Sequence, residues 1–284
     1  MRSRAVRLWL ARGSLALTAA AVGCGGSGQR IDATRVVADA GAATAATRGF
    51  RVVFKPSLTL PEGAVVVMPA AGWIDARDQR GQLTIDMTPL VRVYGKHAIY
   101  RAEQIFDRSG VYMRMPWLRK RLGGKLWISF TTAHGNGALV PPSAGSVFGR
   151  LTQHPLHLLD QLRVGARNAA DLGRDIVRGM PMLHYRLIVD LGRWARRASA
   201  RDPQSARYFE RRFRSAAGGS SYPAEVWIDR RGLVRRLSLA ISFEAPLLRG
   251  HPILRFTETA DFYDFGSRVT FRRPAPRATV NLGG

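Results

Sequence analysis

The feature that most constrains the fold is an almost unbroken period-two alternation over two neighbouring segments near the C-terminal end. From 233 to 243, Leu237, Leu239, Ile241 and Phe243 fall on one side, and Arg236, Ser238 and Ser242 on the other. From 253 to 263, Leu254, Phe256, Ala260 and Phe262 oppose Arg255, Thr257 and Asp261, with Glu258 the exception on the apolar side. Successive strand residues point to opposite faces, so the pattern requires strands with one buried face and one wet face, as in an antiparallel sheet. A slip of one residue would turn the whole apolar row to solvent, which specifies the pairing strongly.

Further strand signals lie at 50–55, 72–77, 82–87, 90–94, 98–105, 111–115, 183–191 and 225–229. Asp78-Gln79-Arg80-Gly81, Asp107-Arg108-Ser109-Gly110 and Asp229-Arg230-Arg231-Gly232 read as hairpin turns, with the glycine expected at positive φ. Helices are expected over the Ala-rich 32–47 and over 193–201, and from Asp202-Pro203 to Gly218-Gly219. Two short ones are expected between Ser146 and Leu172, carrying Leu156, Leu159 and Leu162. A single curved antiparallel sheet with helices on its concave side uses every apolar face, whereas a sandwich leaves little room for amphipathic helices. The expected fold class is therefore α+β, as one domain of about 250 residues, because no repeat or second composition regime appears.

The first residues address the chain. Arg2, Arg4 and Arg7 precede an apolar run from Leu15 to Val22, the layout of a bacterial secretion signal. The run is far short of the roughly 18–20 residues that span a bilayer. Ala21-Val22-Gly23-Cys24 resembles the bacterial lipobox, in which the cysteine becomes an acylated N-terminus; only Ala21 departs, where Leu is commonest. Cys24 is the sole cysteine, so no disulfide can form within the chain. The expected organisation is a signal peptide over 1–23, a lipidated flexible tether over 24–30, a folded domain over 31–276 and a tail over 277–284. Such a chain stands on the outer face of the cytoplasmic membrane, in the cell envelope.

The formal net charge is +24, and loss of residues 1–23 removes four arginines and no acid, leaving +20. Export takes the chain away from nucleic acid, the usual partner of such a charge. Two readings of the charge stay open: attraction to anionic headgroups or acidic envelope polymers, and the arginine enrichment that high-GC coding produces.

Three segments resemble the LolA-like lipoprotein family of bacterial cell envelopes, in the branch of the LppX and LprG type. Arg178-Gly179-Met180-Pro181-Met182-Leu183-His184-Tyr185 resembles its Arg-Gly entry to a His-Tyr strand. The run from Glu225-Val226-Trp227-Ile228-Asp229 through Gly232-Leu233 to Arg235-Arg236 resembles its Glu-Val-Trp hairpin. Tyr263-Asp264-Phe265-Gly266, followed by Val269 and Pro274, resembles its closing segment. The resemblance covers roughly 31–276, is strongest after Asp160, and has no counterpart for 117–142. It implies a strongly bent half-barrel capped by helices around an apolar cavity for acyl chains. It further implies carriage or presentation of lipid or glycolipid, a membrane transporter as a possible partner, and no catalysis or cofactor.

With that resemblance, strand alternation gives the expected cavity wall. It comprises Val111, Met113 and Met115; Leu126, Ile128 and Phe130; Leu183, Tyr185, Leu187 and Val189; Val226 and Ile228; and Leu237, Leu239, Ile241 and Phe243. Methionines, including Met182, suit a flexible lining. Ordinary core is the competing account of each of these residues.

Other constellations carry less. His154, His157 and Asp160 share a spacing that could place three ligands on one helical side, but Pro155 leaves His154 before the helix and no glutamate stands between the histidines as a base. No Gly-x-Ser-x-Gly elbow and no P-loop pattern occurs. His184 reads as a solvated or hydrogen-bonded strand residue. Trp117-Leu118-Arg119-Lys120-Arg121-Leu122 has the mixture of a membrane-touching loop or of a solvated one, and the arginines between Arg196 and Arg214 form a second basic region. A lipid carrier, expected as a monomer, is the leading expectation. An accessory or sensor lipoprotein using the same fold to bind a protein partner is the alternative.

Overall fold

The computed structural model describes residues 32–93, 98–107, 110–131, 155–198, 210, 211, 214, 217–244 and 252–281. Helix α1, Ala33–Ala45, opens them, capped by Asp32, whose carboxylate accepts from the Thr34 N–H at 2.9 Å. Strands β1 (Phe50–Thr59), β2 (Val65–Val67), β3 (Ala70–Asp75) and β4 (Arg80–Asp86) follow, then α2 (Thr88–Val93). Strands β5 (Arg101–Asp107), β6 (Gly110–Arg114) and β7 (Trp127–Thr131) precede α3 (Pro155–Gly165). The second half contains β8 (Ala166–Val177), β9 (Met180–Asp190), α4 (Leu191–Ala198), β10 (Ser221–Ile228), β11 (Val234–Glu244), β12 (Ile253–Tyr263) and β13 (Thr279–Asn281).

The strands form one curved, open sheet in the order β13-β7-β6-β5-β4-β3-β1-β12-β11-β10-β9-β8, with β2 beside β1. All pairs are antiparallel except β13 with β7. Two meanders, β3 to β7 and β8 to β12, meet at β1. That strand pairs with β12 along its length, with β3 through Phe50–Phe54 and with β2 through Ser57–Thr59. This is the expected α+β class.

Helices α1, α3 and α4 lie over the β8–β12 half of one face, which we call the inner face. Hydrogen bonds hold them to the sheet and to each other. The Thr44 hydroxyl at the end of α1 accepts from the Val234 N–H at 2.8 Å, and the Trp194 indole of α4 donates to Asp160 of α3 at 2.9 Å. Tyr222 on β10 donates to Gln161 of α3 at 2.6 Å. The core beneath is aromatic towards β1, where Phe50 meets Phe262 edge-on at 5.6 Å between centroids.

Four expectations are corrected. Residues 90–94 read as a strand because of their valines, yet Asp86 accepts from the Thr88 N–H at 2.9 Å and Pro89 follows, so the start signal makes α2 instead; Tyr94 lies outside the described residues. The expected second helix up to Leu172 is strand β8. Gly165 lets the chain pass the Asp190 carbonyl, which a Cβ would meet at 2.8 Å, and two register shifts with Asn168 at φ 51° bend the strand. Charged Arg167, Asp171, Arg174 and Asp175 along it suit an edge strand. At the β3–β4 turn the positive φ falls on Gln79, not Gly81; Gly81 is instead required by Phe106, whose Cζ would stand 2.4 Å from a Cβ. The segment 277–284, expected as a tail, contributes β13 to the sheet. Cys24, the signal and tether segments, His154 and most of the helix expected after Pro203 lie outside the described residues.

Helix α1 reaches α3 through Gly41, where a Cβ would stand 2.9 Å from the Leu159 carbonyl oxygen and 3.1 Å from the Leu162 Cβ. Gly41→Leu should therefore lower unfolding stability by ~1–3 kcal/mol. Ala43→Leu on the exposed side of the same helix should change it by less than ~0.5 kcal/mol. Urea denaturation of both variants checks this.

Candidate functional site

The pairing registers decide which side chains share the inner face. Across the helix-covered half, one row runs Leu187, Ala224, Leu239, Glu258, Pro56, and the next runs Tyr185, Val226, Leu237, Ala260, Phe54. In the other half, Phe106, Val111 and Phe130 form one row, and Leu83, Gln104, Met113 and Ile128 another. The residues expected as cavity wall that lie in paired strands thus all fall on one face. Met115 and Leu126, just beyond β6 and β7, continue the alternation.

Their surroundings differ. Tyr185, Leu187, Val189, Val226, Ile228, Leu237, Leu239, Ile241 and Phe243 are buried in the core under the helices. Ile128 is buried on β7, while Val111, Met113, Met115 and Leu126 are half-buried. Leu183 is 40% exposed, and Ile176, on the same face of β8, is 71% exposed. The side chain of Phe130 lies outside the described ones. Met182, expected as lining, faces the other way and packs with Val177 and Trp227. The apolar face therefore extends past the described helices that cover it.

Glu258 is the ionisable exception in the helix-covered rows. It is 1% exposed, and neither carboxyl oxygen has a hydrogen-bond partner among the described residues. Burial pushes its carboxyl up to about 8, so it is largely protonated at neutral pH. Tyr222, also buried, is pushed up by burial and then by the Glu258 charge. Thr44, by contrast, satisfies its hydroxyl fully, donating to the Ala40 carbonyl at 2.8 Å.

The motif residues of the family resemblance stand mainly on the outer face and hold it together. His184 stacks on Trp227 at 4.2 Å and bonds Glu225 at 3.1 Å, while Arg186 donates to the same carboxylate at 2.9 Å. The Trp227 indole donates to Asp175 at 2.8 Å, holding that carboxyl below the usual range. Arg236 forks onto Asp261 at 2.6 and 3.1 Å. Asp229 builds the β10–β11 turn, accepting from the Arg231 and Leu233 N–H groups and from Arg235. Apart from the local Asp229 contacts, spacing alone could not assign these pairs, because they join different strands.

Two open clefts flank the β3–β4 turn. One, of about 440 Å³, is lined by Arg48, Asp75, Arg77, Asp78, Arg80 and Arg268. The other, of about 300 Å³, is lined by Ile105, Phe106, Asp107, Phe271 and Arg273 beside Asp78 and Arg80. The first is largely polar and the second mixed, and neither contains a residue expected as cavity wall. Among the described residues no three His, Cys, Asp or Glu side chains gather as a metal site, and no helix is long and apolar enough to cross a membrane. Asp160 is engaged by Arg163 and Trp194. In the loop after β6, Trp117 packs edge-on against Tyr100 while Lys120 and Arg121 are exposed.

Glu258 makes stability depend on pH. Between its ordinary value of 4.5 and about 8, the folded chain keeps a proton that the unfolded chain has released. Its contribution is complete below about 4.5 and is lost as pH rises through the folded value. The parent should therefore lose stability relative to Glu258→Gln as pH rises towards and through the folded value, by up to ~1.4 kcal/mol per pH unit. Denaturation of the two proteins from pH 4 to 9 checks the sign; parallel profiles would contradict it.

No family model matches the chain, and no curated protein matches it. Among solved structures, the lipoprotein LppX of Mycobacterium tuberculosis is 13% identical with a TM-score of 0.45, over 84% of this chain and 97% of that one. LprF of Mycobacterium bovis is 16% identical with a TM-score of 0.43, over 86% and 97%. A LolA superfamily protein of Nitrosomonas europaea is 9% identical with a TM-score of 0.30, over 84% and 94%. The chain is thus similar, at low identity, to proteins of the LppX and LolA kinds.

Proposed function

We propose that this chain is an envelope lipoprotein, anchored through an acylated Cys24 on the outer face of the cytoplasmic membrane, that binds acyl chains of a lipid or glycolipid on its inner face. It carries or presents them as a monomer, with a membrane transporter as partner, and without catalysis or cofactor. The observation that carries this reading is the mismatch between the apolar face and its cover. Val111, Met113, Met115, Leu126, Leu183 and Ile176 continue the face beyond the helix-packed core and remain partly open to solvent.

The chemistry fits such a face. Moving a sixteen-carbon chain from a bilayer into water costs on the order of 12 kcal/mol, at ~0.8 kcal/mol per methylene. A protein wall that replaces the bilayer during transit offsets most of that penalty with few polar groups. In the helix-covered half the core is closed over itself, so an acyl chain entering there must part α1 and α3 from the sheet.

Protein beginning at Gln29 and purified without detergent should carry reproducible lipid in native mass spectrometry. A protein found only at its own mass, whatever the host membrane, contradicts carriage and favours the accessory-lipoprotein alternative. In the full chain, Cys24→Ala should abolish acyl labelling and release the protein from membranes, whereas unlabelled protein retained there contradicts the anchor.

A further inference from the structure

Glu258 has no hydrogen-bond partner for either carboxyl oxygen among the described residues. Strand register sets it between Leu239 of β11 and Pro56 of β1 on the inner face, with Ala224 next to Leu239 in the same row and Ala260 two residues along β12. Ala260, the inner-face neighbour of Glu258 on its own strand, has the shortest side chain an L-residue can have. Tyr222, which feels the Glu258 charge, donates its hydroxyl proton to Gln161. Among the described residues, burial is the cause that acts on its carboxyl, and no cation is set beside it.

A buried carboxyl with both oxygens unpartnered loses its water without regaining a hydrogen bond, which costs about 1–3 kcal/mol even when it is neutral. A ligand oxygen can restore that bond. The surroundings decide which kind: a phosphate or carboxylate would enter an apolar interior with no cation to meet it, beside a group that is itself acidic. A pure hydrocarbon would leave the carboxyl orphaned. An uncharged oxygen, as in an ester or a hydroxyl, matches a protonated carboxyl as donor or acceptor.

We infer that Glu258 is the polar anchor of the inner face and selects lipids that carry an uncharged ester or hydroxyl oxygen within their apolar part, over hydrocarbons and over free acids. This rests on the proposed acyl-chain binding and specifies its ligand class. The anchor acts by holding the ligand's depth along the face, because a single directional bond fixes a position that dispersion contacts leave free to slide.

The test uses the full chain, stripped of lipid, with three labelled probes of similar length: methyl palmitate, palmitate and octadecane. The parent should hold methyl palmitate about tenfold more tightly than octadecane, and more tightly than palmitate. Glu258→Leu, which removes an orphaned polar group and keeps an apolar side chain, should bind octadecane as well as the parent but lose the ester preference. Glu258→Gln, which still donates, should retain it. An unchanged ester preference in Glu258→Leu, or none in the parent while octadecane still binds, overturns the anchor and leaves the carrier reading standing. That result is also the one expected if a water molecule alone satisfies Glu258. Failure of all three probes on the parent overturns both.

Discussion

The structure depends on strand register. Thirteen strands turn their apolar side chains to one face only because each pair is locked in a specific alignment, and β1 is the strand through which the two meanders share that alignment. A slip at β1 with β12 would separate Phe54 from Ala260 and Leu58 from Phe256, and would turn both rows to solvent. The helices then have little freedom. Their apolar sides can be buried only on this face, and Thr44, Trp194 and Tyr222 supply the hydrogen bonds that set where they sit.

The two faces divide the work. Outside, cations and carboxylates are paired across strands, and aromatic rings lie under guanidinium groups, as Arg178 does over Tyr263 at 4.1 Å and Arg235 over Phe265 at 4.6 Å. Much of the arginine excess near the C-terminal strands is used in this way. Inside, the face is mainly apolar, with Glu258 and Gln104 as buried polar interruptions, and it runs beyond the described helices towards β6, β7 and the β8–β9 hairpin.

Much of this was legible from alternation. The period in 233–243 and 253–263 placed β11, β12 and the exceptional Glu258 on the correct faces, and the Asp229–Gly232 turn formed as its residues require, with Gly232 at φ 74°. Local pattern failed where a distant contact decides. Residues 166–172 look helical by composition, but pairing with β9 draws them into an edge strand. Residues 90–94 carry β-branched side chains, but the Asp86 cap and Pro89 start a helix. Gly81 serves Phe106, twenty-five residues away, rather than its own turn. Alternation also could not tell core from ligand wall, because a row of buried aliphatics satisfies both until its cover is known; Leu183 and Leu187 share a face yet differ entirely in exposure.

The central claim is that acyl chains lie against the inner face between sheet and helices. A palmitoyl ester carrying a photoreactive diazirine at its chain end tests it most directly, by irradiation of the loaded protein and mapping of the adducts by peptide mass spectrometry. The account predicts adducts on inner-face residues such as Leu187, Leu237 and Leu239, together with Met113 or Leu183. Adducts confined to exposed apolar residues away from that face, such as Ile188 and Ile99, would contradict it.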